Sequence, residues 1–199
     1  YASSDFSWGV QLVFDNKVIL GTRARKTRTK SFNAFSSIDY PETAVFRDMR
    51  LIPFLRRPDP MPPVQFYGQL DPAVFVLRLV PGMRADIIPL LAPHYRALVV
   101  ESFGVGGLPG GEHGEMYARL QDWCASGRLA VFTTQVPHEG CDLAVYEVGR
   151  SVKELPGVLE AKDMTPEAVA VKLMWALGQT EDREKAARLF ETPIEYDIM

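Results

Sequence analysis

The stretch AVFVLRLV, residues 73–80, is an almost continuous run of branched and aromatic apolar residues. Such a run is typical of a β-strand that is buried on both faces, as the strands of parallel sheets are. Two further runs of this kind follow, ALVVESF at residues 97–103 and LAVFTTQ at residues 129–135. We expect these three runs to be strands of one sheet.

Helical patterns separate the three predicted strands. Residues 81–95 indicate a turn and a short helix. Residues 115–127 are amphipathic, with Met116, Leu120 and Trp123 on one face. Because parallel strands need long crossover connections, this alternation predicts an α/β fold with a parallel sheet and crossover helices.

The remaining C-terminal residues extend the same pattern. A further extended piece and three helices are expected at residues 142–158, 163–179 and 181–190. Thr165 or Asp163 can cap the second of these helices, and Pro166 fits its first turn. Residues 73–199 are therefore predicted to form a small flavodoxin-like or Rossmann-like domain of about four strands.

The N-terminal residues show a different organisation. VQLVFDNKVIL, residues 10–20, holds two short apolar runs around Asp15-Asn16, which predicts a β-hairpin. Residues 37–72 then contain seven prolines. Each proline removes a backbone donor and restricts the residue before it, so RRPDPMPPVQFYG, residues 56–68, is expected to be a linker or long loop. The predicted division is residues 1–40, a proline-rich linker at 41–72, and the α/β domain at 73–199.

The segment GTRARKTRTK, residues 21–30, carries five cations and no acid in a chain of net charge −3. A nucleic-acid-binding protein would spread its basic residues over a face, so we expect no nucleic-acid partner. Apolar segments flank the run, KVILGT before it and FNAF after it, which predicts that one of its lysines is buried. A buried lysine can give up its proton and act as a base, whereas an arginine stays protonated. The candidates are Lys26 or Lys30 for chemistry and Arg23, Arg25 and Arg28 for positioning.

Two loops follow predicted strands at their carboxyl ends, where α/β sheets bind ligands. TTQVPHEG, residues 133–140, suits both turn hydrogen bonding and a small polar ligand pocket, and the spacing alone favours neither. GVGGLPGG, residues 104–111, misses the spacing of the dinucleotide-binding and phosphate-binding loops. We expect its glycines to allow tight turns or a close backbone approach.

Cysteine and histidine usage points away from metal chemistry. Cys124 and Cys141 form no Cys-x-x-Cys motif and are expected to be free structural thiols in a reducing compartment. His94, His113 and His138 have no metal-ligand spacing, so no metal site is expected. No apolar run approaches the roughly 18 residues of a membrane-spanning helix, so no membrane partner is expected.

Six segments, taken in this order along the chain, resemble the type I L-asparaginases, cytoplasmic bacterial enzymes, and more widely the asparaginase/glutaminase family. They are GTRARKTRTKSFNAFSSIDYP (21–41), VLRLVPGM (76–83), ALVVESFGVGGLP (97–109), VFTTQVPHEG (131–140), VYEVGR (145–150) and DMTPEAVAVKLMWALGQ (163–179).

The resemblance implies a function and an active-site residue. It implies hydrolysis of L-asparagine to L-aspartate and ammonia by a threonine nucleophile, without a cofactor and with L-glutamine as an alternative substrate. The family's catalytic lysine follows an arginine by three positions, which is Lys26 after Arg23 in this sequence. The resemblance also implies a cytoplasmic homodimer or homotetramer.

The resemblance assigns residues 1–40 to the end of a larger N-terminal catalytic domain, as a hairpin and the arm that carries the lysine. In the family that domain holds the nucleophile in a Thr-Gly-Gly-Thr segment and a second threonine in a Gly-Thr-Asp-Thr segment. Neither segment occurs in these 199 residues. The chain alone is therefore expected to be inactive, and its substrate-binding residues stay unassigned.

Two alternatives stay open. The family usually has threonine before the catalytic lysine, whereas this chain has Arg25, which resembles the asparaginase-like component of tRNA-dependent amidotransferases. The other alternative is a non-catalytic module that binds a ligand or supports assembly. Binding of asparagine or aspartate without hydrolysis would distinguish that module from an enzyme.

Overall fold

A computed structural model describes residues 1–61, 63–110 and 114–199; His113 lies outside these ranges. Strands β1 (Gln11–Phe14) and β2 (Lys17–Leu20) form an antiparallel hairpin. Asp15 and Asn16 at its tip have φ angles of 47° and 59°, the left-handed conformation that a two-residue hairpin turn of this type needs. The predicted hairpin is confirmed.

The basic run leads into a small separate ribbon. Strand β3 (Ala24–Lys26) pairs antiparallel with β4 (Phe35–Ser37), and Lys26 lies opposite Phe35. The ribbon's two strands form a sheet of their own. We call the basic run together with this ribbon, residues 21–37, the arm. The arm follows the first hairpin and contains Lys26.

A second hairpin lies where the prolines predicted a linker. Strands β5 (Ala44–Arg47) and β6 (Arg50–Pro53) extend the first hairpin into a sheet of order β1-β2-β5-β6. The sequence assigned residues 41–72 to a linker and did not predict these two strands, whereas the expectation of little regular structure concerned residues 56–68. Pro53 is tolerated because it ends an edge strand, where a missing N–H costs least. The described residues from 54 to 73 form no helix or strand, and the division into domains stays a prediction.

The second half of the chain alternates strand and helix. Its elements are β7 (Val74–Arg78), α1 (Ile87–Leu91), β8 (Ala97–Ser102), α2 (Glu115–Ala125), β9 (Leu129–Thr134), α3 (Glu147–Lys153), β10 (Val158–Glu160), α4 (Pro166–Gln179) and α5 (Arg183–Glu191). The four strands are parallel in the order β10-β9-β8-β7. The predicted α/β fold with crossover helices is confirmed.

Helices cover both faces of this sheet. On β8, Leu98 and Val100 face the core that includes residues of α1 and α2, whereas Ala97 and Val99 face the core under α4 and α5. All six residues of β8 are buried. This two-sided burial explains why the strands appear in the sequence as continuous apolar runs rather than alternating ones.

Thr165, not Asp163, caps helix α4. The Thr165 hydroxyl accepts a hydrogen bond from the backbone N–H of Ala168 at 3.2 Å, and Pro166 occupies the first turn. The Asp163 side chain is thereby left for another partner.

Candidate functional site

Lys26 is exposed at the end of β3, where burial was expected. Its Nζ lies 5.9 Å from the centre of the Phe35 ring. Neighbouring side chains on a strand point to opposite faces. Arg25 reaches back to Glu167 on α4, with Nε 3.5 Å from Oε1, and Lys26 is therefore directed away from the α/β domain. The expectation of a buried lysine in this run is wrong for Lys26, and Lys30 is exposed as well.

Arg23, three residues earlier, is the buried cation of the run, with 0% of its surface exposed. Its Nη2 lies 2.9 Å from Oδ2 of Asp163, and its Nη1 donates to the Asp163 carbonyl oxygen at 2.8 Å. Its Nε donates to the carbonyl oxygen of Tyr196 at 2.5 Å, and the guanidinium lies 5.3 Å from the centre of the Tyr40 ring. The sequence predicted a positioning role for Arg23. In the structure Arg23 connects the arm to the α/β domain through Asp163.

The C-terminal residues 192–199, which we call the C-terminal tail, contact the chain just before and just after the first hairpin. The Glu195 carboxylate accepts from the N–H of Val10 at 3.2 Å, and its carbonyl accepts from the Thr22 hydroxyl at 2.9 Å. Glu195 and Tyr196 adopt φ angles of 45° and 58°, which cost energy in residues other than glycine. The contacts to the arm offset that strain.

A buried ion pair fixes the tail to helix α4. Lys172 Nζ lies 2.7 Å from Oδ2 of Asp197, and the two side chains are 5% and 4% exposed. Burial lowers the pKa of Lys172, and the Asp197 carboxylate opposes that shift. Phe190 stacks below the ammonium, with its ring centre 5.6 Å away. The tail is therefore part of the packed structure.

The polar loop after β9 is mainly a turn. Thr134 Oγ1 donates to the carbonyl of Gly104 at 2.5 Å and accepts from the N–H of Val136 at 3.1 Å. Gln135 Nε2 donates to the carbonyls of Leu79 and Glu101 at 2.7 and 2.9 Å. Thr134 and Gln135 therefore satisfy backbone groups at the ends of neighbouring strands, which favours the turn interpretation for these two residues.

The last residues of that loop contact the segment after the arm. Asp39 Oδ2 accepts from the N–H of Glu139 at 3.1 Å, and Asp39 Oδ1 lies 3.1 Å from Nδ1 of His138. Both loop residues are exposed. Asp39 thus joins the arm side of the molecule to the carboxyl end of the parallel sheet, the edge at which α/β proteins bind ligands.

The glycines after β8 allow a tight turn, as predicted. Gly104 and Gly106 have φ angles of 51° and 146°. A side chain at Gly106 would place its Cβ 2.5 Å from Cδ2 of Leu143, and the φ angle of this residue is one that other residues rarely adopt, so glycine is strongly favoured here. Gly111, the last glycine of the run, lies outside the described residues.

Comparison with known proteins identifies the family. The family profile described as "Glutaminase/Asparaginase C-terminal domain" matches residues 73–190, and "Asparaginase, N-terminal" matches residues 2–57. The chain belongs to the asparaginase/glutaminase family. The resemblance seen in the six sequence segments is confirmed at this level.

Relatives of two kinds are similar to this member of the family. An L-asparaginase of Thermococcus kodakarensis is 36% identical over 194 residues, which cover 96% of this chain and 57% of the relative. A glutamyl-tRNA(Gln) amidotransferase component of Metallosphaera sedula is 35% identical over 179 residues, covering 86% of this chain and 39% of that relative. The chain spans about half the length of the curated relatives it matches or less.

Solved structures of asparaginases share the fold. The thermostable L-asparaginase of Thermococcus kodakarensis superimposes with a TM-score of 0.89 at 35% identity, covering 96% of this chain and 57% of that one. L-asparaginase I of Vibrio cholerae superimposes with a TM-score of 0.83 at 25% identity, covering 95% and 57%. The hairpin, the arm and the parallel sheet therefore have the arrangement of asparaginase-family proteins.

Sequence reasoning missed the partners that hold the asparaginase-type arm. The sequence indicates Asp163 only as an alternative helix cap, and it contains no signal for Asp39, Tyr196 or Asp197. These residues lie far from the arm in sequence, or stand in segments with no periodic pattern. The one available signal was the arginine of the family's Arg-x-x-Lys spacing, which indicated that Arg23 has a fixed position.

The described part of the chain lacks two further classes of feature. No three histidine, cysteine, aspartate or glutamate side chains there lie close enough together to hold a metal ion. None of the helices within those residues combines the length and apolarity needed to cross a bilayer.

Proposed function

We propose that this chain is the lysine-bearing part of an L-asparaginase that hydrolyses L-asparagine to L-aspartate and ammonia. Membership of the asparaginase/glutaminase family and the 36% identity to the Thermococcus kodakarensis L-asparaginase support the proposal. The single observation that carries the role of Lys26 is its place on the arm. It follows the buried Arg23 by three residues on a short ribbon that Asp163 and Tyr196 hold in place.

The proposed reaction passes through an ester intermediate. A threonine hydroxyl attacks the side-chain amide carbon of asparagine, its proton passes to the departing nitrogen, and ammonia leaves. Water then attacks the ester, which releases aspartate and restores the threonine hydroxyl. Lys26 helps to deprotonate a second threonine that assists this chemistry, and the arm keeps its amino group at a fixed position.

We place the nucleophile next to the exposed side chain of Lys26. In this proposal both threonines belong to a segment outside these 199 residues, and that segment packs against the exposed face of β3 and β4. Contact with it removes water from Lys26, which favours the neutral amine that can accept a proton. The assembled enzyme in this proposal is a cytoplasmic homodimer or homotetramer that binds no nucleic acid.

A chimera tests the proposal directly. The part of the Thermococcus kodakarensis L-asparaginase that precedes its match to this chain is fused before Tyr1, and ammonia release from asparagine and glutamine is measured. We expect turnover by the chimera and none by the 199-residue chain alone. Lys26→Met should lower kcat by about a hundredfold or more, as loss of a proton-transfer group does.

Lys30→Met is the matched control, because Lys30 is an exposed lysine of the same basic run. Its turnover should equal that of the parent chimera. Full activity of the Lys26→Met chimera would exclude Lys26 from catalysis. A folded chimera that hydrolyses neither amide would overturn the amidohydrolase proposal as a whole.

A second candidate function rests on Arg25 and on the match to the glutamyl-tRNA(Gln) amidotransferase component of Metallosphaera sedula at 35% identity. In that case the chain is part of an amidase component that supplies ammonia to glutamyl-tRNA(Gln). Such a protein should release ammonia faster when charged tRNA and its partner protein are present. Turnover of asparagine that is independent of both would favour the asparaginase.

A further inference from the structure

Three arginines converge at the amino ends of the parallel strands, opposite to the edge discussed above. Arg96 immediately precedes β8 and Arg128 immediately precedes β9, and the residues that follow them, Ala97 and Leu129, are paired in register. Arg183 begins helix α5. All three line one cavity of about 340 Å³, which is within the size range of small-molecule sites, roughly 300–1,000 Å³.

The positive charge at this cavity is only partly neutralised. Arg96 has two carboxylate partners, Asp71 at 2.7 Å and Glu181 at 2.9 Å. Among the described residues, neither Arg128 nor Arg183 has a carboxylate within 4.0 Å. Glu181 is weakly held, since 91% of its side chain is exposed. Two guanidinium groups thus face the cavity without a counter-ion in the described part of the chain.

These guanidinium groups are already fixed in position. Arg128 donates to the carbonyls of Tyr95 at 3.2 Å and Ala92 at 2.8 Å, and lies 5.2 Å from the centre of the Trp123 ring. Arg183 Nη1 donates to the carbonyl of Cys124 at 3.3 Å. An ordinary surface arginine loses side-chain entropy when it binds a ligand. Arg128 and Arg183 have already lost most of that entropy on folding, so binding costs them less.

We propose that this cavity, which we call the arginine cavity, binds a small phosphate-type dianion: free phosphate or a phosphate monoester. Among the described residues, the three arginines against Asp71 and Glu181 leave a net charge of +1, and displacement of Glu181 by the ligand raises it to +2, the charge that a dianion matches. Guanidinium groups bind the tetrahedral oxygens of phosphate through paired hydrogen bonds. The Glu181 carboxylate competes with the ligand, because it already pairs with Arg96 in the same cavity. The site is independent of the proposed hydrolysis, since Lys26 takes no part in it.

Calorimetric titration at low ionic strength tests this proposal on the 199-residue chain, with inorganic phosphate, glycerol phosphate and succinate as separate ligands. We expect inorganic phosphate and glycerol phosphate to bind and succinate to bind far more weakly. Arg183→Gln should weaken phosphate binding by about tenfold or more, as expected for hydrogen bonds to a charged group. Glu181→Gln should tighten it, because a competing carboxylate is removed.

The Glu181→Gln variant keeps the test decisive if Arg183→Gln folds poorly, since its side chain is exposed. Arg84→Gln is the control for non-specific charge, because Arg84 is a surface arginine elsewhere, 83% exposed and paired with Asp86. No binding of phosphate, or equal loss of affinity in Arg84→Gln and Arg183→Gln, would overturn the site. Preference for succinate would overturn the choice of a phosphate-type ligand. Tighter binding of glycerol phosphate than of phosphate would assign the site to monoesters.

Discussion

Arg23 and Lys26 stand three residues apart on the same arm, yet one is fully buried and the other exposed. A buried guanidinium is tolerated because the Asp163 carboxylate lies 2.9 Å from Nη2, and the carbonyl groups of Tyr196 and Asp163 accept hydrogen bonds from Nε and Nη1. Lys26 has no such partners among the described residues. The arm therefore separates two tasks: Arg23 fixes the chain in place, and Lys26 is left available to an incoming segment.

The two cysteines allow a test of burial at the level of single residues. Cys124 is 0% and Cys141 4% exposed, and burial raises the pKa of these thiols to about 11 and about 12. Since the thiolate is the reactive form, iodoacetamide at pH 8 should label neither thiol in the folded protein and both after denaturation. Mass spectrometry measures the labelling, and rapid labelling of the native protein would contradict the assigned burial.

The same shifts give a pH dependence of stability. The folded state retains thiol protons that the unfolded state releases above its ordinary pKa of 9.0, so the unfolded state binds fewer protons there. The stability present below pH 9 should accordingly fall as pH rises from about 9 to 12. A variant with Cys124→Ala and Cys141→Ala should lose this part of the decline.

Most helices and strands of the α/β domain follow from local sequence patterns. The apolar runs of β7, β8 and β9 and the cap at Thr165 are signals within one element, so they can be recognised without knowing the fold. Hairpin β5–β6 was not predicted, because its short strands lie among prolines and its partner β2 is distant in sequence. The number of prolines favoured a linker here. Where a proline lies matters more than how many there are, because a proline at the end of an edge strand, such as Pro53, is compatible with a sheet.

The attachment of the C-terminal tail to α4 depends on the Lys172–Asp197 pair. Lys172→Met leaves the Asp197 carboxylate buried without its counter-ion and should reduce the free energy of unfolding by about 3–5 kcal/mol. Adding Asp197→Asn removes the unpaired charge and keeps an acceptor for the N–H of Ile194, which donates to Asp197 Oδ1 at 2.8 Å. The double variant should therefore be more stable than Lys172→Met alone. Urea unfolding of both variants and of Asp197→Asn alone measures the coupling, and a loss in the double variant equal to the sum of the two single losses would show that the pair is not coupled.

At the scale of the whole molecule, the candidate site is assembled from segments that are distant in sequence. The family motif identifies Lys26, but the groups that hold its arm come from before α4 and from the C-terminal tail. Their pairing with Arg23 spans 140 residues or more along the chain. No periodicity or local motif encodes such a contact, and so the sequence could indicate the lysine but not its support.

The Arg23–Asp163 pair should control how firmly the arm is held to the α/β domain. In Asp163→Asn the Arg23 guanidinium stays buried without a carboxylate, which should lower the free energy of local opening of the arm by about 3 kcal/mol. The loss is expected to be local: amide hydrogen exchange should become faster over residues 24–38, whereas residues of β8 and β9 keep their protection. Asp86→Asn, which removes one partner of an exposed pair with Arg84, is the control and should change neither quantity.

The alternative is that backbone contacts hold the arm without help from Asp163. Ile38 donates to the carbonyl of Arg23 at 3.0 Å, and this bond survives the substitution. Unchanged exchange over residues 24–38 in Asp163→Asn would therefore assign the arm's position to the backbone and remove Asp163 from the support of Lys26. Faster exchange there, combined with an intact parallel sheet, would show that one carboxylate before α4 sets the position of a lysine on the other side of the linker.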